Sequence, residues 1–289
     1  MTETATLAQP KRERESKSDC LKNLCIPSMH KGKAIYDLKF ATIYNLAFES
    51  RGTNKDSCLV GIGRHIRQLE KAGLILPVRQ YGYLPNEKFR HTFWQATKEG
   101  ANALGYEQYT PIGEKSVRNF PHQFGLIDVL SGLYFPFRNE YDIIITYPST
   151  ASSLDGYKPD AIIRYRHKTE EKAYDFLVEF ERTRTPRAIF EEKIRLNEKI
   201  KHFRKYGLSK KTKFLYVFTN ENFDVTKRPV EYPEYRPMIA RVEKEFGQLL
   251  RMASKLSIYK YRFALLHQFK EFDKPVWVMP SGHKMNVIN

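Results

Sequence analysis

Helical and strand-like apolar periods alternate along the chain. Residues 34–49, AIYDLKFATIYNLAFE, set Tyr36, Phe40, Ile43, Tyr44 and Ala47 at helical spacing, which predicts one helix. After the polar break SRGTNKDS, CLVGIGRHIRQLEKAG spaces Leu59, Ile62, Ile66 and Leu69 three, four and three apart. Gly73 is placed to end that second helix just past its C-cap. LILPVRQYGYLPNEKFRHTFWQAT then reads as two strands joined by a loop with Pro and Asn, and KEGANALG as a short closing helix. Farther on, HQFGLIDVLSGLYFPF (122–137) turns Phe124, Ile127, Leu130 and Tyr134 to one side of a helix. YDIIITYP (141–148) is a strand, and residues 157–184 are a β-hairpin turning around HKTEE. PRAIFEEKIRLNEKIKHFRKYG (186–207) predicts a helix whose stripe runs through Ile189, Leu196, Ile200 and Phe203, widened by Phe190 and Ile194. TKFLYVFTN (212–220) is a strand, ARVEKEFGQLLRMASK (240–255) a helix, and YRFALLHQF and KPVWVMP are late strands.

Charged residues interrupt this pattern in two places. In the hairpin, Asp160 opens the first strand, while Glu179 and Glu181 close the second. Alternation puts both glutamates on one face and Phe176, Val178 and Phe180 on the other. A turn around HKTEE brings the partner of Asp160 close to residue 180, so the three carboxylates gather at one end of the sheet. They would repel strongly there unless a divalent metal or a lysine offset them. Lys193 supplies the second interruption, in the middle of the stripe of the 186–207 helix. A lysine on a packing face needs a carboxylate partner or a reaction to serve.

Charge narrows the choice of partner. Lys and Arg number 49 against 33 acidic residues, a net +16, which argues for a polyanion. No apolar run approaches the roughly 18–20 residues that span a bilayer, and neither a leader nor a lipidation box is read. The expectation is therefore nucleic acid and no membrane. Three cysteines without a CxxC pair point to incidental thiols in a reducing cytoplasm. Helix, turn, basic helix and hairpin, in that order, are the signature of a winged helix-turn-helix over residues 34–110. Its second helix would enter a major groove, with Arg64, Arg67, Gln68 and Lys71 toward phosphates or base edges; the other reading is a solvated face that contacts protein. Residues 1–33, with KRERESK and MHKGK, form a basic tail, read as a DNA-clamping arm or as disordered solubilising sequence. Residues 111–289 form the second domain.

Helix, three-stranded meander, helix, strand, with Pro159-Asp160, Glu179-x-Glu181 and Lys193 in those elements, resembles the PD-(D/E)xK nuclease superfamily. More narrowly, RQLEKAGLI, FWQATKEG, HQFGLIDVLSGL, PDAII and VEFERTRTPRAIFEEKI are similar to the replication-relaxation family of plasmids and other mobile elements. That family joins a winged helix to a restriction-endonuclease-like α/β domain with a mixed central sheet. The resemblance implies a DNA endonuclease using Mg2+ or Mn2+, with Asp160 and Glu179 as ligands, Glu181 as a second-metal ligand or the partner that fixes the lysine, and Lys193 orienting water or stabilising developing charge. The Phe180 carbonyl is a further ligand on this reading. Arg182, Arg184 and Arg187 would track phosphates, or pair with Glu179 and Glu181. A second copy or another protein of the mobile element is the protein partner left open. Two departures stand out. Glu181 occupies the position of the superfamily's usual lysine, so Lys193 would be a migrated equivalent. The glutamate usually brought by the first helix is also missing, and His122 or Asp128 is offered instead. By themselves, His122 reads as a packing residue and Asp128 as a helix-surface acid. A nuclease fold used only to bind DNA is the alternative.

Overall fold

Two sheets organise the described residues. The computed structural model describes residues 26–38, 40–46, 55–79, 92–105, 120–148, 154–181, 187–200, 203–219 and 260–288, together with Lys244 and Gly247. The N-terminal part comprises α1 (Ile26–Asp37), β1 (Phe40–Ala41), α2 (Ile43–Leu46), α3 (Lys55–Lys71), β2 (Ile75–Arg79), β3 (Thr92–Ala96) and α4 (Lys98–Ala103). Its strands pair antiparallel in the order β1-β3-β2.

The single helix expected over 34–49 is not formed. Phe40 and Ala41 are instead a short strand opposite Gln95 and Trp94. The cause is local: the Asn45 N–H donates to Thr42 Oγ1 at 3.2 Å, and the Thr42 N–H donates to Asn45 Oδ1 at 2.9 Å. This reciprocal cap starts a new helix at Ile43. The first helix also begins earlier than expected, at Ile26, within the stretch read as tail. Lys31 is buried there and donates to the Leu46 carbonyl at 3.0 Å. On α3, Ile62, Ile66 and Leu69 are buried as their spacing predicts. Gly73, at φ 73°, ends it: its N–H donates to Glu70 O at 2.9 Å, and the Leu74 N–H donates to Leu69 O at 3.0 Å. That is the left-handed exit for which glycine carries no Cβ penalty.

The C-terminal part follows: α5 (Phe120–Tyr134), β4 (Tyr141–Thr146), β5 (Ala161–His167), β6 (Ala173–Glu181), α6 (Arg187–Lys199), β7 (Lys213–Phe218), β8 (Tyr261–Leu265), β9 (Trp277–Val278) and β10 (Lys284–Met285). Its seven strands lie in the order β10-β9-β8-β7-β6-β5-β4. β4, β5 and β6 form an antiparallel meander, β7 and β8 continue parallel to β6, and β9 and β10 return antiparallel. The fold is α+β with a mixed sheet. Helix α6 is shorter than the 186–207 expectation: beyond Ile200, a 3-10 turn over Phe203–Tyr206 leads to Gly207 at φ 67°. Likewise β8 stops at Leu265, and Leu266–Glu271 is a 3-10 turn rather than strand. Of the helix expected over 240–255, Lys244 and Gly247 are described and are helical; the rest lies outside the described residues.

The two faces of the large sheet are covered differently. On one, Phe176, Val178, Phe180, Leu215 and Val217 join Leu126, Val129, Leu130 and Leu133 of α5, and the same cluster runs on to Ala34, Ile35, Ile66 and Leu69. On the other, Leu177, Tyr216, Phe218 and Phe263 pack with Phe190 and Ile194 of α6. Glu179 and Glu181 belong to this second face by alternation along β6. No helix among the described residues is long and apolar enough to cross a membrane.

Candidate active site

A tight turn delivers the first carboxylate. Asp155 (φ 51°) and Gly156 (φ 89°) let Leu154 pair with Tyr157 and bury that tyrosine, and Asp160 follows just before β5. In the hairpin Ala161 pairs with Val178, and the same register places Asp160 opposite Glu179, one residue from the position the turn alone suggested. The Asp160 N–H donates to Val178 O at 3.0 Å, and the Phe180 N–H donates to Asp160 Oδ2 at 2.8 Å. Asp160 thereby closes the open end of the β5–β6 ladder with both its backbone and its side chain.

Glu179 and Glu181 are buried on the α6 face, beside Tyr216 and Phe218 of β7. Lys193 reaches them from α6: its Nζ donates to Glu179 Oε2 at 3.1 Å and also to Glu181 Oε1. Its place on the helix differs from the expected one. Phe190, Ile194 and Asn197 form the buried centre of α6, and Lys193 lies at the margin, with a side chain 32% exposed. That margin lets the stem pack while the ammonium reaches the carboxylates and keeps contact with solvent. Asn197, which periodicity did not single out, is fully buried and donates through Nδ2 to Tyr216 Oη at 2.6 Å. Its polarity alone, between Ile194 and Ile200, could have flagged it.

These contacts set the electrostatics. Burial and the nearby Asp160 charge push the Glu179 carboxyl up to about 7, against the opposing pull of Lys193. Burial opposes the charge on Lys193, yet Glu179 and Glu181 more than compensate and hold it above the ordinary lysine range. Tyr157 lies against Glu179 with its hydroxyl buried and without a hydrogen bond of good geometry, and burial raises its pKa. Sequence periodicity had not marked it.

His122, in the first turn of α5, also belongs to this end of the sheet. Its Nε2 lies 3.0 Å from Phe180 O and 3.3 Å from Asp160 Oδ2, and its ring packs 5.3 Å from that of Phe180. Burial disfavours the charged ring, but the bond and charge of Asp160, the Phe180 carbonyl and Glu179 outweigh it and raise its pKa. Asp128, the other residue read on this helix, is not brought there: it accepts a hydrogen bond from Asn45 Nδ2 at 2.5 Å. Arg64, Arg67 and Lys71 are exposed on α3, and Gln68 is half-buried. Arg182 and Arg184 lie outside the described residues; Arg187 begins α6.

No family model, curated protein or solved structure matches the chain. Among the described residues, no three His, Cys, Asp or Glu side chains converge as a metal-binding group. The donors at this site are of another kind. Asp160 Oδ2 and the Phe180 carbonyl meet at one ring nitrogen, with the acidic Glu179 alongside. Two hard carboxylates and a main-chain oxygen suit a small divalent cation, and such a charge would reverse the upward shift of Glu179.

Proposed function

We propose that the chain is a divalent-metal-dependent DNA endonuclease of a plasmid or other mobile element, with a winged-helix N-terminal part and a PD-(D/E)xK-like second part. The observation that carries this reading is the meeting of Asp160, Glu179 and Lys193 from three separate elements at one end of the sheet. Asp160, Glu179 and the Phe180 carbonyl would hold Mg2+ or Mn2+, which when bound supplies a Lewis acid for a phosphate oxygen and lowers the pKa of a water. Lys193 holds its ammonium on the protein side, where it stabilises negative charge on the phosphate as water attacks phosphorus and the ester oxygen leaves. Glu181 fixes the direction of Lys193. The exposed Arg64, Arg67 and Lys71 face of α3 holds the duplex through its phosphates. Replication, transfer or transposition of the element is the setting that the family resemblance supplies.

A second reading is a DNA-binding protein that keeps the fold without catalysis. The closed cluster of Lys193 with both glutamates favours it, because the ammonium already offsets part of their charge without a metal. Incubation with supercoiled plasmid and Mg2+ or Mn2+ separates the two. The nuclease reading expects nicked or linear product from the wild type and none from Asp160→Ala. Intact, salt-sensitive DNA binding with no cleavage supports the second reading.

A further inference from the structure

We propose that His122 is a nitrogen ligand of the cation site and tunes that site toward Mn2+ and the later first-row divalent ions over Mg2+. This inference rests on the metal-dependent reading above. Three elements contribute to the point concerned: α5 through His122 Nε2, the approach to β5 through Asp160 Oδ2, and β6 through Phe180 O, with the nitrogen 3.3 Å and 3.0 Å from the two oxygens. In an octahedral site with bonds of about 2.1 Å, neighbouring donors stand about 3 Å apart. The spacing in the protein matches that edge. Without a cation, both contacts require the proton on Nε2, which donates to the two oxygens. A cation among the three takes the place of that hydrogen, and the ring then carries its proton on Nδ1.

The ring is held for this role. It packs on Phe180, and its side chain is only 26% exposed. The buried Tyr157 hydroxyl lies against Glu179, where the charges of Glu179 and Asp160 both act on it. The consequence follows from donor chemistry. Carboxylate and carbonyl oxygens alone suit Mg2+, whereas imidazole raises affinity along the series from Mn2+ toward Ni2+.

Mn2+ alone, added to the full chain, is the probe. Electron paramagnetic resonance measures its binding, and spin-echo modulation reports a nitrogen in its inner shell. The expected result is tight binding that Asp160→Asn abolishes, with nitrogen modulation that is lost in both His122→Ala and His122→Gln. In those variants Mn2+ affinity should fall about tenfold or more, while Mg2+ affinity, measured by competition, stays within about twofold. Mn2+ bound through Asp160 without nitrogen modulation in the wild type overturns the role of His122 and leaves the metal-dependent reading standing. Modulation that persists in both folded His122 variants also overturns it. No Asp160-dependent Mn2+ binding overturns the inference together with the metal site itself. The wild-type spectrum is decisive even if one variant fails to fold, and far-UV circular dichroism identifies such a case.

Discussion

Burial and the Asp160 charge push the Glu179 carboxyl up to about 7, while Lys193 attracts its charge. The unfolded chain releases the same proton near 4.5, the ordinary value for a glutamate. A raised folded-state pKa contributes stability that is fully present below the unfolded value and is lost as pH rises through the folded one. The loss therefore runs between about pH 4.5 and pH 7 and amounts to about 3 kcal/mol. Glu179→Gln removes the titration and leaves the Lys193–Glu181 pair in place. Urea unfolding should show the variant about 1–3 kcal/mol more stable than wild type at pH 8 and little different at pH 4. An unchanged pH slope would mean that Glu179 is not the group responsible. The sequence made this conflict legible, because two acids at the end of an apolar strand demanded a cation. It could not show that the cation would come from the margin of α6, since Lys193 sits at helical spacing with the buried residues and only packing decides which side of Phe190 and Ile194 meets the sheet.

At the scale of elements, α5 and β6 meet without clearance. A Cβ on Gly125 would collide with the ring of Phe180, so a glycine on the inner side of α5 sets how closely the helix approaches the strand. Gly125→Ala should push Phe180 aside, cost about 1–3 kcal/mol by overpacking, and displace the carbonyl that faces His122. Thermal unfolding measures the first effect; a Tm unchanged from wild type would contradict it. Elements with one dominant period were readable in advance: the α3 stripe with its Gly73 exit, and the hairpin register to within one residue. Elements where local polar chemistry competes with period were not. Thr42 and Asn45 cap each other and split one expected helix into strand and helix, although Phe40 and Ile43 keep helical spacing.

Across the whole molecule, one apolar cluster runs from Ile35 and Leu69 to Val129, Phe180 and Val217, across the boundary drawn near residue 110. Polar bonds stitch the same seam. Asn45 donates to Asp128 at 2.5 Å, Tyr134 Oη to Asp37 Oδ2 at 2.5 Å, and Tyr147 Oη to Leu38 O at 2.8 Å. Asp128 looked like a surface acid because its partner stands 83 residues away, beyond the reach of any local pattern. The two parts should therefore unfold in one transition, and a double-mutant cycle of Asn45→Ala with Asp128→Ala should give a coupling of about 0.5–3 kcal/mol. Two separate transitions and no coupling would contradict the shared core. The exposed cations of α3 belong to this scale as well, since they would hold DNA for a site on another sheet. Arg64→Ala and Arg67→Ala should each weaken DNA binding and lower the slope of log affinity against log salt by about 1; an unchanged slope would remove α3 from the interface.

Asp160, Glu179 and Lys193 are proposed to form a phosphodiester-cleaving site. Cleavage of supercoiled plasmid by wild type, Asp160→Ala and Lys193→Ala, with Mg2+ and with Mn2+ and at matched DNA occupancy, tests it most directly. The wild type should cleave in a metal-dependent way, with cleavage reduced by about a hundredfold or more in each folded variant. Equal cleavage by all three proteins would place the activity at a different site, without Asp160 and Lys193.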